Sequence, residues 1–125
     1  MYYAILCYHD EDVIGAWPRE QEEAVLAKRR RVTDRLEAEG RLGPVARLMP
    51  TTAATTVRSG GEGLVIDGPF AETKEQLLGF YVVDCGTLED AIALARELGE
   101  GESGAFEVRP LRLLLAPGTG RDGVQ

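Results

Sequence analysis

The feature that most constrains the fold is a pair of strand-like segments that are apolar on both faces. Residues 2–8 and 77–85 consist almost entirely of aliphatic and aromatic side chains, as is typical of strands buried within a sheet. In the first segment, one face consists of Tyr3, Ile5 and Cys7, and the other of Tyr2, Ala4, Leu6 and Tyr8. In the second segment, one face consists of Leu77, Tyr81 and Val83, and the other of Leu78, Phe80 and Val82. A sheet built on these strands must be covered on both faces.

Each of these segments is followed by a helical pattern. A polar loop begins at His9, and Pro18 then opens a helix that is predicted to run to about residue 39 and to end at Gly40. The second helix begins at Thr87, which has the spacing of a capping box with Asp90. The apolar positions of the first helix are Val25, Val32 and Leu36, with Leu26 and Ala38 beside them, and those of the second are Leu88, Ala91, Ile92, Ala95 and Leu98.

The remaining strand patterns define the fold class. Residues 42–49 form a strand interrupted by Gly43-Pro44, residues 52–58 and 63–67 are the arms of a hairpin that turns at residues 59–62, and residues 105–115 are a last strand bent at Pro110. This order is that of a split βαβ unit, so we expect an α+β, ferredoxin-like fold with an inserted β-hairpin. Two helices cover only one face of such a sheet, and we expect the other face to pack against a second copy in a homodimer.

The length and charge of the chain indicate how many domains it has and which partners it does not bind. We expect a single domain over residues 1–115 and a flexible tail at 116–125, where turn-forming residues are concentrated. A formal net charge of −7 argues against nucleic acid and anionic membrane surfaces as partners. No apolar run approaches the roughly 20 residues that span a bilayer, and the N-terminus lacks a signal-peptide pattern, so a cytoplasmic location is expected.

The loop after residues 63–67 is the first candidate site. Asp67, Gly68, Pro69 and Phe70 come directly after a predicted strand and are followed by Glu72-Thr73-Lys74. As a plain turn, the segment would use Gly68 and Pro69 for the reversal, with Phe70 in the core. As a site, its carboxylates and ammonium group would hold a small polar ligand. Its charged groups could also pair with one another as a structural clasp.

The tetrapeptide Asp67-Gly68-Pro69-Phe70 and the Glu72-Thr73-Lys74 after it resemble the signature of the YCII-related family, in the branch named after the sequence DGPF. The resemblance covers about residues 2–112 and implies a dimeric α/β barrel. It also implies a regulatory partner, because many proteins of this branch are encoded beside extracytoplasmic-function sigma factors. The wider family has a proposed His–Asp pair with its histidine on the first helix. This chain has Lys28-Arg-Arg-Arg31 in that region, so the pair is not carried over.

His9 is the second candidate, as the one histidine of the chain. It lies beside Asp10, Glu11 and Asp12, which could orient it as a general base. The alternative is a solvated histidine in a polar loop. The basic run Lys28–Arg31 is interpreted as a solvated helix face that pairs with Glu22, Glu23 and Asp34.

Other reactive residues give weaker patterns. Cys7 and Cys85 end two strands that we expect to be parallel neighbours, which would bring the thiols close together; each is otherwise a small buried hydrophobe. Ser103 has no base near it in the sequence, so a hydrolase triad is not indicated. No ligand spacing is diagnostic of a metal, and no cofactor fingerprint is present.

Two function hypotheses follow. In the first, the chain binds or converts a small polar molecule by acid–base chemistry in the cleft between helix and sheet, with Asp67, Lys74 and His9 as catalytic candidates. The expected ligand-binding residues are Gly68, Pro69, Phe70, Glu72 and Thr73. In the second, it is a non-catalytic interaction module, for example a partner of a sigma factor.

Overall fold

A computed structural model describes residues 1–60 and 63–115 of the chain. In chain order, the strands are β1 (Tyr2–His9), β2 (Leu42–Arg47), β3 (Thr55–Val57), β4 (Val65–Asp67), β5 (Gln76–Asp84) and β6 (Ala105–Pro110). The helices are α1 (Glu11–Gly15) and α2 (Arg19–Ala38), which both lie between β1 and β2, and α3 (Leu88–Leu98), which lies between β5 and β6.

The main sheet has four strands in the order β2-β5-β1-β6, and every neighbouring pair is antiparallel. In each half of the fold, the two strands that a helix connects are separated by one strand from the other half. Strand β1 pairs with β5 in a register that places Ile5 opposite Tyr81. The expected α+β, ferredoxin-like class is confirmed, since this interleaving is the split βαβ arrangement.

The helices α2 and α3 pack on one face of this sheet and form the core with it. Tyr3, Ile5 and Cys7 of β1 are buried there, as the alternation in the sequence predicts. On the helix side the buried residues are Val32 and Leu36 of α2 and Ala91, Leu94, Ala95 and Leu98 of α3.

Each helix differs in part from its predicted apolar face. Thr87 caps α3 as expected, since its side chain accepts a hydrogen bond from the Asp90 N–H. Leu88 and Ile92 are exposed, however, because α3 turns Leu94 toward the sheet instead. In α2 only the C-terminal half is buried, and Leu26 is 41% exposed. The N-terminal half of α2 therefore has a different role.

The inserted hairpin is formed by β3 and β4, which make a two-stranded sheet of their own. Thr55 lies opposite Asp67, and a short 3₁₀ turn over Thr51–Ala53 precedes β3. Part of the predicted turn at residues 59–62 and the whole predicted tail at 116–125 lie outside the described residues.

The two cysteines are far apart, and the expectation that they are neighbours was wrong. Strands β1 and β5 are antiparallel, so Cys7 lies opposite Gly79 while the Cys85 N–H donates to the carbonyl of Met1. The thiols are therefore at opposite ends of the sheet. Both are buried and free.

The face of the sheet that points away from α2 and α3 is half-buried in the isolated chain. It includes Leu6, which lies opposite Phe80, and Ala4, which lies opposite Val82. Tyr2 and Tyr8 extend the same face at its two ends, and all four residues of β1 on this side are partly exposed. Among the described residues, no helix is long and apolar enough to cross a membrane.

Candidate functional site

A cavity of about 220 Å³ lies where the N-terminal half of α2 faces the sheet. Glu22, Val25, Leu26 and Arg29 line it from α2, at the spacing i, i+3, i+4, i+7 that marks one helix face. The predicted apolar stripe of α2 therefore divides into a core half and a cavity half. Other apolar walls include Ile14, Trp17, Tyr81 and Phe106, and the polar ones include His9, Arg47 and Glu102.

His9 is buried at the edge of this cavity, with 7% of its surface exposed. Its Nε2 lies 2.8 Å from the Ser103 Oγ, and its ring meets Trp17 edge-on at 6.0 Å between centroids. The backbone of Gly104 lies so close to the ring that a Cβ there would be 2.7 Å from Cδ2. The interpretation of His9 as a solvated loop residue was therefore wrong.

The second ring nitrogen of His9, Nδ1, is buried. In an imidazole, Nδ1 lies opposite the bond between Nε2 and Cδ2, so it points away from Ser103 and Gly104. It is buried and makes no hydrogen bond to any residue that the structure describes. A buried polar atom without a partner raises the free energy of the folded state, and native domains contain only a few such atoms. Depending on the tautomer, Nδ1 can donate a proton to a ligand or accept one.

The pair of His9 and Ser103 has the separation of a base and a nucleophile. A serine triad also needs a group that orients the histidine through its other nitrogen. Within residues 1–60 and 63–115 no carboxylate reaches His9 Nδ1, so the third member is absent there. Ser103 therefore holds the ring in place through Nε2.

A charge cluster forms the adjoining wall of the cavity. The side chain of Glu102 is only 1% exposed, and it accepts from Lys28 Nζ at 2.6 Å and from Arg29 Nη2 at 2.6 Å. Arg29 Nε completes a forked contact at 3.3 Å, and its guanidinium lies 5.7 Å from the ring centroid of Phe106. Lys28 also donates to the carbonyl of Glu100 at 2.6 Å. These contacts fix the loop between α3 and β6 against α2.

This cluster corrects the interpretation of the basic run as a solvated face. Lys28 and Arg29 are directed at a buried carboxylate, while Arg30 keeps the expected surface pair with Asp34 at 3.9 Å. The sequence did contain a signal. Arg29 lies four positions after Val25 and three before Val32, so it belongs to the apolar stripe and not to the polar face.

The remaining reactive groups near the cavity are neutral. Burial raises the pKa of the Cys7 thiol from 9.0 to about 11, with the Arg29 charge opposing this and Glu102 adding to it. Burial also raises the pKa of the Tyr81 phenol, again against the influence of Arg29. Cys7 therefore lacks thiolate character at neutral pH. Tyr81 retains a hydroxyl that can donate a hydrogen bond.

The loop residues singled out from the sequence lie elsewhere. Gly68, Pro69, Glu72, Thr73 and Lys74 line a surface depression together with Asp10, Glu11, Asp12 and Thr51. Two of these carboxylates already have structural roles, since Asp10 caps α1 through the Asp12 N–H and Glu11 accepts from the Thr51 backbone. The structure thus brings five predicted residues together, but His9 lines the cavity instead.

Gly68 has the geometry of a turn. Its φ of +110° is one that residues with a Cβ rarely adopt, and its N–H donates to the Ala54 carbonyl at 2.7 Å. Phe70 is 70% exposed and lies under Arg58 at 4.9 Å, so its predicted place in the core was wrong.

The alternative of a structural clasp in this loop is not observed among the described residues. Asp67, Glu72 and Lys74 form no ion pair within 4.0 Å in the part of the chain that is described. The described residues also contain no group of three or more His, Cys, Asp or Glu placed to hold a metal ion.

Comparisons with known proteins give a family and one close relative. The family model of the YCII-related domain matches residues 1–114. An uncharacterized protein of Rhizobium meliloti (strain 1021) is 54% identical over 116 residues, which are 90% of this chain and 94% of that protein.

Proposed function

This chain belongs to the YCII-related domain family, and we propose that it binds a small organic molecule in the cavity beside α2 and exchanges a proton with it through His9. The observation that supports this most directly is the buried Nδ1 of His9, which has no partner among the described residues. A ligand that bonds to Nδ1 would remove the free-energy penalty of that atom. The cavity is smaller than most ligand pockets, which suits a small ligand.

Acid–base chemistry is the reaction type that these side chains favour. His9 has Nε2 fixed by Ser103, and its buried Nδ1 has no hydrogen-bond partner in residues 1–60 and 63–115. The Cys7 thiol is protonated, so covalent catalysis by a thiolate is not favoured. The loop residues Asp67, Glu72, Thr73 and Lys74 are the competing location, with Gly68, Pro69 and Phe70 beside them. Membership of the DGPF branch and a cytoplasmic location stay predictions.

A thermal-shift screen against small metabolites tests the two locations. A ligand present at about 100 times its dissociation constant stabilises the folded state by about 2.7 kcal/mol, which raises the melting temperature by several degrees. We expect hits that are lost in His9→Asn and kept in Lys74→Ala. The reverse result would move the site to the loop. Melting of both variants without ligand provides the control for folding.

A homodimer is the assembly that we propose. The open sheet face carries Leu6 and Phe80 at its centre, and a second copy of the same face would cover them in a twofold arrangement. Light scattering of the purified chain should give twice the protomer mass of 13.6 kDa. The Leu6→Glu variant should give the mass of a single protomer. A matched variant, Val57→Glu in the exposed hairpin, should remain dimeric. A monomeric wild type at micromolar concentration would contradict the proposal.

An interaction module is the second candidate, and the hairpin favours it. Among the described residues, strands β3 and β4 pair only with each other, and they expose Val57, Val65 and Ile66 by 65%, 60% and 45%. Isolated two-stranded sheets are only marginally stable, and exposed apolar patches often mark protein contacts. If no metabolite shifts the melting temperature, the search moves to protein partners, including the sigma factor that the family resemblance implies.

A further inference from the structure

The charged residues in and beside the cavity wall have an excess of positive charge. Arg47 pairs with Glu22 at 3.3 Å, and Arg29 pairs with Glu102, so the four charged residues that line the cavity cancel formally. Lys28 then adds a second cation to the buried Glu102. The cluster of Lys28, Arg29 and Glu102 therefore carries a formal excess of one positive charge, although the whole chain carries −7.

Arg29 has donors to spare for a ligand. A guanidinium has five N–H groups, and those of Nε and one of Nη2 are directed at Glu102. Tyr81 shares the guanidinium, since a hydrogen bond from Arg29 opposes the rise in the pKa of that phenol, and no other residue in 1–60 or 63–115 accepts from the remaining N–H groups. Because Glu102 holds the guanidinium in one orientation, the spare N–H groups are fixed before a ligand arrives.

Apolar side chains form much of the rest of the cavity wall. Trp17, Val25, Leu26 and Phe106 supply apolar walls, and an ion pair in apolar surroundings is screened less than one on the surface. An excess cation in these surroundings is destabilising when it has no counter-ion. A monovalent anion would balance it, whereas a doubly charged phosphate would reverse the excess.

We infer that the ligand of this cavity is a small organic carboxylate, whose carboxylate group is bound by Arg29 and whose apolar body lies against Trp17 and Phe106. The inference rests on the proposed function and adds the ligand class to it. Lys28 acts as a positioning residue, because it supplies the positive excess through Glu102 without lining the cavity.

Trp17 makes the inference directly measurable, because it is the one tryptophan of the chain and it lines the cavity. The probes are matched pairs that differ in charge and not in shape: benzoate with benzamide, and cyclohexanecarboxylate with cyclohexanecarboxamide. We expect carboxylates to change the Trp17 fluorescence and to bind at least about tenfold more tightly than their amides, as a charge-assisted hydrogen bond allows. Lys28→Gln and Arg29→Gln should each remove most of this preference.

The control variant is Arg35→Gln, on the same helix. Arg35 pairs with Glu97 on the surface at 2.6 Å and does not line the cavity, so Arg35→Gln removes the same charge at a distance from the cavity and should leave the preference intact. If Arg29→Gln does not fold, Arg29→Lys gives a second readout, since it keeps a cation for Glu102 but loses the fork, and the preference should fall.

Two outcomes would overturn the inference and distinguish its failure from that of the proposed function. Amides that bind as tightly as carboxylates, with a fluorescence change lost in His9→Asn, would leave the cavity as a binding site but exclude the carboxylate class. No fluorescence change with any of the four probes would count against both.

Discussion

Replacing Glu102 with alanine is expected to lower the free energy of unfolding by about 3–5 kcal/mol, because it leaves Lys28 and Arg29 without their shared partner. That loss is a large fraction of the 5–15 kcal/mol that typically stabilises a domain. The two cations are 19% and 22% exposed, so water relieves only part of the penalty. Urea denaturation followed by circular dichroism gives the value.

Two further variants separate charge from packing. Glu97→Ala breaks a surface pair with Arg35 whose side chains are 46% and 37% exposed, and it should cost no more than about 1 kcal/mol. The triple variant Lys28→Met, Arg29→Met, Glu102→Met removes all three charges and should recover much of the stability lost in Glu102→Ala. Equal losses in Glu102→Ala and Glu97→Ala would contradict this account of the cluster.

Gly104→Ala is expected to destabilise the chain by about 2–5 kcal/mol and to displace His9, through strain and overlap together. Gly104 has a φ of +103°, and an added Cβ would lie 2.6 Å from the Tyr8 carbonyl and 2.7 Å from His9 Cδ2. The matched variant is Gly101→Ala in the same loop, where φ is +77° and no atom lies within 4 Å of the added Cβ.

Comparing these two variants isolates the contact with His9. Gly101→Ala should lower the free energy of unfolding only by the backbone strain, about 1–3 kcal/mol. It should keep the fluorescence response of Trp17 to ligand. Gly104→Ala should lose that response even below its melting temperature, because the ring can no longer reach Ser103. Identical behaviour of the two variants in both measurements would show that Gly104 does not position the ring.

The sequence predicts the main elements well because their signals are local. The helix expected over residues 18–39 is observed as Arg19–Ala38, and the cap at Thr87 is where the spacing placed it. The short helix α1 was not predicted, since its five residues contain no repeated apolar position. The burial of His9 was missed for another reason: its partners Ser103 and Gly104 come from the far end of the chain.

The role of Glu102 in the cavity wall was missed for the same reason, because its partners are distant in the sequence. Glu102 lies between glycines in a segment typical of a surface turn, and only the return of β6 beside β1 brings it against Lys28 and Arg29. The loop with Asp67 and Lys74 was conspicuous for the opposite reason, because its chemistry is contiguous in sequence. A site whose residues are adjacent in the sequence is easy to recognise from the sequence. A buried site formed by distant residues is not, because burial depends on contacts that the sequence does not show. Cys7 and Cys85 illustrate how one wrong strand direction misplaces a pair.

The division of α2 has a consequence for how proteins with this fold can change. Val32 and Leu36 hold the helix on the sheet, whereas Glu22, Val25, Leu26 and Arg29 shape the cavity from the same helix, one to three turns earlier. Substitutions of Val25 and Leu26 alter the volume offered to a ligand and remove few contacts from the core, whereas Arg29 must stay paired with the buried Glu102. One half-helix can therefore be remodelled for a new ligand while the other half keeps the fold, which makes this scaffold a tractable starting point for engineered binding.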